Sequence, residues 1–151
     1  MQLQISARSH VGKVRKKNED NFCVLDMILP EEKTENYQWS IRTRIKRPVF
    51  LGVFDGMGGY SKGERASFLM ARIACRMAGE MGDVSASQLL TDICMTSNLA
   101  VCQEMRGPEG CQMGTTAAML PEKHPRTESY RSSRMPCVLQ PVTDSACKKM
   151  S

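Results

Sequence analysis

Histidine is scarce in this chain of 151 residues, which contains only His10 and His124. Seven cysteines are present, but no two of them have the CxxC spacing that is typical of zinc and redox pairs. Neither histidine lies near a pair of cysteines, so we do not expect a zinc site built from these residues. The cysteines have no histidine close to them in the sequence, so no cysteine nucleophile is indicated.

Long apolar runs are also missing. No stretch of about 18 apolar residues occurs, so we expect no membrane-spanning helix. The opening residues MQLQISARSHVGK lack the apolar core of a signal peptide. Together with the odd number of cysteines, this favours reduced thiols in the cytoplasm over a disulfide framework. The nucleotide-binding patterns GxxxxGK[ST] and GxGxxG do not occur either.

The formal net charge is +5, and it is unevenly distributed. Residues 1–120 hold 15 Lys or Arg against 13 Asp or Glu, whereas residues 121–151 hold six against three. A basic segment can bind nucleic acid, but at this charge density a solvated tail is the favoured interpretation. We therefore do not expect a nucleic-acid partner.

The hydrophobic pattern predicts strands first, then two helices, then one further strand. Strand-like patterns cover residues 2–8, 21–29, 39–45, 49–54 and 114–120. The run VFLGVF (49–54) is almost continuously apolar, which is typical of a strand covered on both faces. Helical spacing begins at Lys62, and Ser85 followed by Gln88 predicts the capped start of a second helix.

The end of the chain differs in character from the rest. Residues 121–151 show no sustained periodicity and are rich in Pro, Ser and Arg, which is typical of loops and disorder. The order of predicted elements indicates one domain of the α+β or mixed α/β class, of which we take α+β as the prediction.

Asp55 and Gly56 form the first candidate site. Asp55 ends an apolar strand, and Gly56 has no side chain to prevent another group from approaching the main chain. Mg²⁺ and Mn²⁺ prefer carboxylate, carbonyl and water oxygens, so the Asp55 carboxylate and the Gly56 carbonyl are candidate ligands. An ordinary Asp-Gly turn fits this stretch equally well.

Arg15, Glu19 and Asp20 form the second candidate site. Two adjacent carboxylates directly before an apolar strand have the chemistry to bind a metal ion. A guanidinium close to such a site is suited to hold a phosphate dianion. The alternative is a solvated charged loop, because the stretch KVRKKNED carries both signs of charge.

Three segments together resemble the first motifs of a known family, in the same order. They resemble the metal-dependent serine/threonine protein phosphatases of type 2C, the PPM class, in VGKVRKKNEDNF (11–22), VFLGVFDGMGGYSKGERAS (49–67) and GTTAAML (114–120). The combination of RxxNED, an apolar strand ending in DGxGG, and GExAS is specific. The resemblance covers roughly residues 3–120, so we expect residues 1–120 to form the N-terminal part of a PPM-type domain.

One position separates the chain from eukaryotic members of this family. Met57 stands where those members usually have a histidine that is proposed as the general acid, and DGMGG looks like the bacterial branch. The resemblance then implies that water or another residue protonates the leaving group. It also implies that the pH profile lacks a steep acid limb set by histidine.

The resemblance implies a four-layer αββα sandwich with two Mn²⁺ or Mg²⁺ ions at one end, of which this chain holds an incomplete version. It implies direct hydrolysis of phosphoserine and phosphothreonine proteins by a metal-activated water. A bacterial serine/threonine kinase and its substrates are the partners that it implies.

The resemblance also implies a role for each candidate site residue. Asp55 bridges the two metal ions, and Gly56 contributes its carbonyl oxygen. Glu19 and Asp20 lie at the metal centre, with Asp20 the direct or water-mediated ligand. Arg15 binds the phosphate group of the substrate.

Beyond residue 120 the resemblance ends. The family continues with a GDSR-like motif and later aspartates that complete the metal sites, whereas the only aspartate after Asp92 is Asp144, in an unrelated context. We interpret residues 121–151 as an off-family basic tail from a shifted reading frame or truncated gene, or else as part of a short variant. Two functions follow: a phosphatase, or a non-catalytic binding fragment or non-functional remnant.

Overall fold

The computed structural model describes residues 2–32, 36–44, 48–57, 62–80, 82–107, 112–122 and 135–139. Within these ranges the chain is a mixed α+β structure with antiparallel sheets. Its elements are β1 (Gln2–Ser9), β2 (Asp20–Val24), β3 (Met27–Ile28), β4 (Tyr37–Arg44), β5 (Val49–Gly56), α1 (Gly63–Gly79), α2 (Ala86–Met105), β6 (Thr115–Glu122) and β7 (Met135–Leu139).

The described strands form two sheets. Five strands pair in the order β3-β2-β5-β6-β7, and β1 pairs with β4 in a separate two-stranded ribbon. The two helices pack on one face of the five-stranded sheet, and the ribbon packs on the other. The described residues therefore form three layers: ribbon, sheet and helix pair.

The ribbon follows the alternation that the sequence predicts. Along β4, Trp39, Ile41 and Thr43 are half-buried, while the residues between them are exposed. Ile5 of β1 joins the same apolar cluster as Phe22 and Val24 of the sheet. Because successive side chains of a strand point to opposite faces, the ribbon keeps a polar outer face.

The helix layer forms the larger core. Phe50 and Phe54 of β5 pack against Met70 of α1 and against Leu90 and Ile93 of α2, and all five side chains are buried. At the start of α2, the Ser85 Oγ accepts a hydrogen bond from the Gln88 backbone N–H at 3.1 Å, as predicted. No helix in the described ranges is long and apolar enough to cross a bilayer.

The structure differs from the predicted strands in three places. Residues 21–29 form two strands, because Leu25 adopts a left-handed conformation (φ 59°) that turns the chain between β2 and β3. β4 begins at Tyr37, before the start of the strand predicted over residues 39–45. β7 lies within residues 121–151 and pairs with β6.

The prediction that β5 is covered on both faces is confirmed for only part of the strand, because Val49 is buried on the ribbon side and Val53 is not. Phe54 is fully buried under the helices, whereas its neighbour Val53 is 60 % exposed on the opposite face. The short ribbon covers only part of that face, and a cavity of about 950 Å³ remains between the two sheets. A continuous apolar run indicates a buried strand, but it does not reveal whether a second layer extends over its whole length.

This one-sided burial can be tested with neighbouring residues. Phe54→Ala removes a fully buried ring and should lower the free energy of unfolding by about 3–5 kcal/mol. Val53→Ala should lower it by about 1 kcal/mol or less, because the valine is largely exposed. Urea unfolding of both variants measures the difference. Equal losses would show that a further layer covers Val53 in solution.

Candidate functional site

Two aspartates face each other at one end of the five-stranded sheet. β2 and β5 are antiparallel, and their register pairs Asp20 with Asp55. Directly opposed side chains lie on the same face of a sheet, with Cβ atoms about 4.5–5.5 Å apart. Asp20 is half-buried and Asp55 is exposed. Because directly opposed like charges destabilise an antiparallel pair, a cation bound between Asp20 and Asp55 would stabilise this end of the sheet.

Glu19 stands next to this pair and is held by its main chain. Its carbonyl oxygen accepts hydrogen bonds from the Gly56 backbone N–H at 3.2 Å and from the Ser67 Oγ at 2.5 Å. Its side-chain Oε2 is buried and has no hydrogen-bond partner among the described residues. An unpaired buried carboxylate oxygen is costly, so this atom also favours a cation as its partner.

The local charges act on the Glu19 carboxyl. Burial raises its pKa above the ordinary value, and the negative charges of Glu64, Asp20 and Asp55 raise the pKa further. The positive charge of Arg15 opposes these effects, yet the pKa remains raised. The Glu19 carboxyl is therefore within range of both the negative charges at this end of the sheet and the positive charge of Arg15.

Gly56 is required by a close approach of two main chains. A Cβ atom at this position would clash with the carbonyl oxygens of Gly63 and Glu19. The sequence indicated that some group approaches Gly56. In the structure, main-chain atoms at the first residue of α1 and at Glu19 make that approach. The glycine therefore lets α1 begin directly against the main chain at the end of β5.

Three polar side chains position the candidate ligands, and the sequence did not reveal their roles. The Asn18 Oδ1 accepts the Asp20 backbone N–H at 3.1 Å, and the Asn18 Nδ2 donates to the Ser9 Oγ at 2.5 Å. The Thr115 Oγ1 donates to the Asp55 carbonyl at 2.9 Å. Ser67 binds the Glu19 carbonyl, as described above. These residues belong to the sequences RxxNED, GExAS and GTT. Only the tertiary contacts show that they hold the main chain of the candidate ligands.

The structure thus brings four of the five predicted site residues to one place. Asp20, Asp55, Glu19 and Gly56 meet where β2 begins and β5 ends. Arg15 lies in the exposed loop before β2, close enough for its charge to act on Glu19. Gly58 and Gly59 of the DGMGG sequence lie outside the described residues.

These residues fit one dication that retains most of its water. Within the described residues, no group of three His, Cys, Asp or Glu side chains converges closely enough to hold a metal ion. Mg²⁺ is nevertheless often bound by only one or two carboxylates, with water and phosphate oxygens as its other ligands. The described carboxylates therefore fit a hydrated ion and do not by themselves make up a two-metal centre.

The chain matches no protein-family profile and no curated protein. The resemblance to PPM phosphatases consequently depends on the quoted segments. Arg15, Asp20 and Asp55 belong to those segments.

Two buried serines of the helices provide a matched test of the contact to Glu19. Ser67→Ala removes the hydroxyl that binds the Glu19 carbonyl and should lower the free energy of unfolding by about 1–3 kcal/mol. Ser97 is equally buried, but its hydroxyl has no hydrogen-bond partner in the described part of the chain. Ser97→Ala should therefore leave stability unchanged or raise it. Thermal and urea unfolding of both variants measure the difference, and equal effects would contradict the assigned hydrogen bond.

The raised pKa of Glu19 predicts a pH-dependent stability in metal-free buffer. At low pH the carboxyl is protonated in both the folded and unfolded states. As pH rises past the unfolded pKa, the unfolded state ionises first, so Glu19 increasingly destabilises the folded state until pH passes the folded pKa. Glu19→Gln should therefore raise the melting temperature relative to the native chain at about pH 7, and by less at about pH 4.

Glu32→Gln provides the control, because it removes one negative charge from an exposed loop residue that lies in neither helix. It should not reproduce the pH-dependent gain. A Glu19→Gln variant that is less stable than the native chain at neutral pH would show that the carboxylate is stabilising there.

Proposed function

We propose that this chain is a metal-dependent serine/threonine protein phosphatase of the PPM type, present here as the N-terminal part of that domain. The observation that carries the proposal is the pairing of Asp20 with Asp55 beside the unpartnered carboxylate oxygen of Glu19. A cation at this place would reduce the repulsion between Asp20 and Asp55 and would give the Glu19 Oε2 a partner. The neighbouring Arg15 adds a cationic group for the phosphate of a substrate.

Each residue has a separate role in this proposal. Asp20 and Asp55, with the Gly56 carbonyl, would hold Mn²⁺ or Mg²⁺. Glu19 would lie at the same centre. Bound dications supply an acidic water as nucleophile and a counter-charge for phosphate. Arg15 would bind and orient the phosphate, because its guanidinium can donate two parallel hydrogen bonds to phosphate oxygens.

The protonation of the leaving group follows from the same residues. Met57 occupies the position of the family's proposed general acid, and a thioether cannot donate a proton. Its backbone N–H donates to the Gly114 carbonyl at 3.0 Å, which connects the end of β5 to the residue before β6. A solvent molecule would therefore protonate the serine or threonine oxygen as it leaves.

The substrates in this proposal are phosphoserine and phosphothreonine proteins that a bacterial serine/threonine kinase produces. A cytoplasmic location fits such substrates and also fits the reduced thiols of Cys23, Cys75, Cys94 and Cys102. The two-metal centre and the complete four-layer αββα sandwich remain part of the proposal. Both would need ligands and layers beyond those of the described residues.

A non-catalytic binding function is the second candidate. It is favoured by the absence of a third converging metal ligand within the described ranges. In that case the site would bind a hydrated dication or a phosphorylated segment without turnover. The two functions share the same residues and differ only in the chemical step.

Asp55→Asn separates these functions. In Mn²⁺, the native chain should hydrolyse p-nitrophenyl phosphate, and both Asp55→Asn and a chelator should lower the rate by more than about tenfold. Titration calorimetry should show weaker Mn²⁺ binding by the variant. The control is Asp83→Asn, on an exposed aspartate past the far end of α1, a helix about 25 Å long. It should change neither quantity.

Each alternative outcome has a definite meaning. Mn²⁺ binding that depends on Asp55, without hydrolysis, would replace the phosphatase by the binding function. A folded chain that binds neither Mn²⁺ nor a phosphorylated peptide and does not hydrolyse the ester would contradict both. Equal hydrolysis by the native chain and Asp55→Asn would show that the activity does not come from this site.

A further inference from the structure

A basic loop leads from β1 to the candidate site. We use the name basic loop for residues Gly12 to Lys17, with the sequence GKVRKK. Gly12 begins the loop with φ +84°, a left-handed conformation that favours glycine. The Gly12 backbone N–H donates to the His10 Nδ1 at 2.8 Å, and the Val11 N–H donates to the Asn36 Oδ1 at 3.3 Å. The start of the loop is thus anchored.

The other end of the basic loop is anchored to the candidate site itself. The Lys17 Nζ lies 3.2 Å from the Glu64 Oε1 in the first turn of α1. The next residue, Asn18, is buried and binds both Ser9 and the Asp20 main chain. The segment between the two anchors is consequently short and close to the carboxylate pair.

The exposed part of the loop is cationic with an apolar centre. Lys13, Arg15 and Lys16 are all exposed, and none of them forms an ion pair within the described part of the chain. Val14 stands among them and is 93 % exposed, more than the other exposed large apolar residues of the described ranges. A valine held this far into solvent by an anchored loop can bury most of its surface on a partner.

We infer that the basic loop is a docking surface for an acidic polypeptide segment that carries the phosphorylated residue. This inference rests on the proposed function, since it names the kind of substrate. Arg15 would bind the phosphate, while Lys13 and Lys16 attract flanking carboxylates and Val14 contacts an apolar side chain. Because the loop is anchored at both ends, less conformational entropy is lost when a partner binds.

The charges around the loop favour a polypeptide over other anionic partners. Asp20, Asp55 and Glu19 lie directly beyond the loop. A nucleic acid carries charge at every phosphate and would meet these carboxylates, whereas a peptide can present neutral residues there. A lipid surface needs a larger apolar contact than the single Val14 provides.

The test is a binding measurement that does not depend on turnover. A fluorescent phosphoserine peptide with flanking Asp, Glu and Leu residues is titrated with the full chain in chelator at about 0.15 M salt. The second peptide has Asn and Gln in place of the acids. We expect the native chain to bind the acidic peptide more tightly. Lys13→Glu with Lys16→Glu should weaken that binding about tenfold or more, and Val14→Ser about threefold.

A matched control reverses two other exposed charges. Arg42 and Arg44 of β4 lie opposite Gln4 and Gln2 of β1. Both glutamines are at least five residues along β1 from Ser9, the end of the strand that leads to the basic loop. That separation is about 17 Å, roughly twice the Debye length at this salt. Arg42→Glu with Arg44→Glu makes the same change in net charge and should leave peptide binding within about twofold.

Several results would overturn the inference. The first is an equal loss of peptide affinity in the Arg42 and Arg44 control. The second is equal binding of the acidic and the acid-free peptide. The third is a larger loss of affinity for an oligonucleotide or for anionic vesicles than for the peptide in the loop variants. Loop-dependent peptide binding by a chain that hydrolyses nothing would support the docking surface while contradicting the phosphatase. Asp55-dependent hydrolysis with no effect of the loop variants on peptide binding would contradict the docking surface alone.

Discussion

The antiparallel pairing of β2 with β5 is the constraint on which the site depends. This register places Asp20 opposite Asp55 and carries Glu19 to the Gly56 main chain. A shift of β2 by one residue would place Asp20 and Asp55 on opposite faces of the sheet, because side chains alternate along a strand. The hydrogen bonds of Asn18 and Ser67 also hold the start of β2. Several weak interactions therefore stabilise the same register of β2 against β5.

The core between the sheet and the helices stabilises this register. Phe54 lies between Val53 and Asp55 in sequence, and it points into the helix layer while they point away. Burial of its ring therefore determines which face of β5 carries the carboxylate. The same alternation leaves Val53 exposed, because the two-stranded ribbon extends over only part of that face. The site and the incompletely covered sheet thus have one structural cause.

Most elements were predictable, since local rules decide them. The alternation around Trp39, the helical spacing after Lys62 and the Ser85 cap are short-range patterns, and the structure has β4, α1 and α2 there. The break at Leu25 was not predictable, because leucine rarely adopts a left-handed conformation and no glycine marks the turn. β7 was missed because residues around it show no strand periodicity, and its pairing with β6 comes from outside the segment.

The sequence by itself determined which groups are present: the carboxylates of Glu19, Asp20 and Asp55, the Arg15 guanidinium, and a glycine after the strand. Residue type sets the chemistry available to a ligand, so these candidates were recognisable without coordinates. Only the tertiary structure decided that Asp20 faces Asp55, that Ser67 and Thr115 support the main chain beside them, and that Val14 is held out among exposed cations. The physical reason is that distances between residues far apart in sequence depend on strand register and packing, which no local pattern encodes.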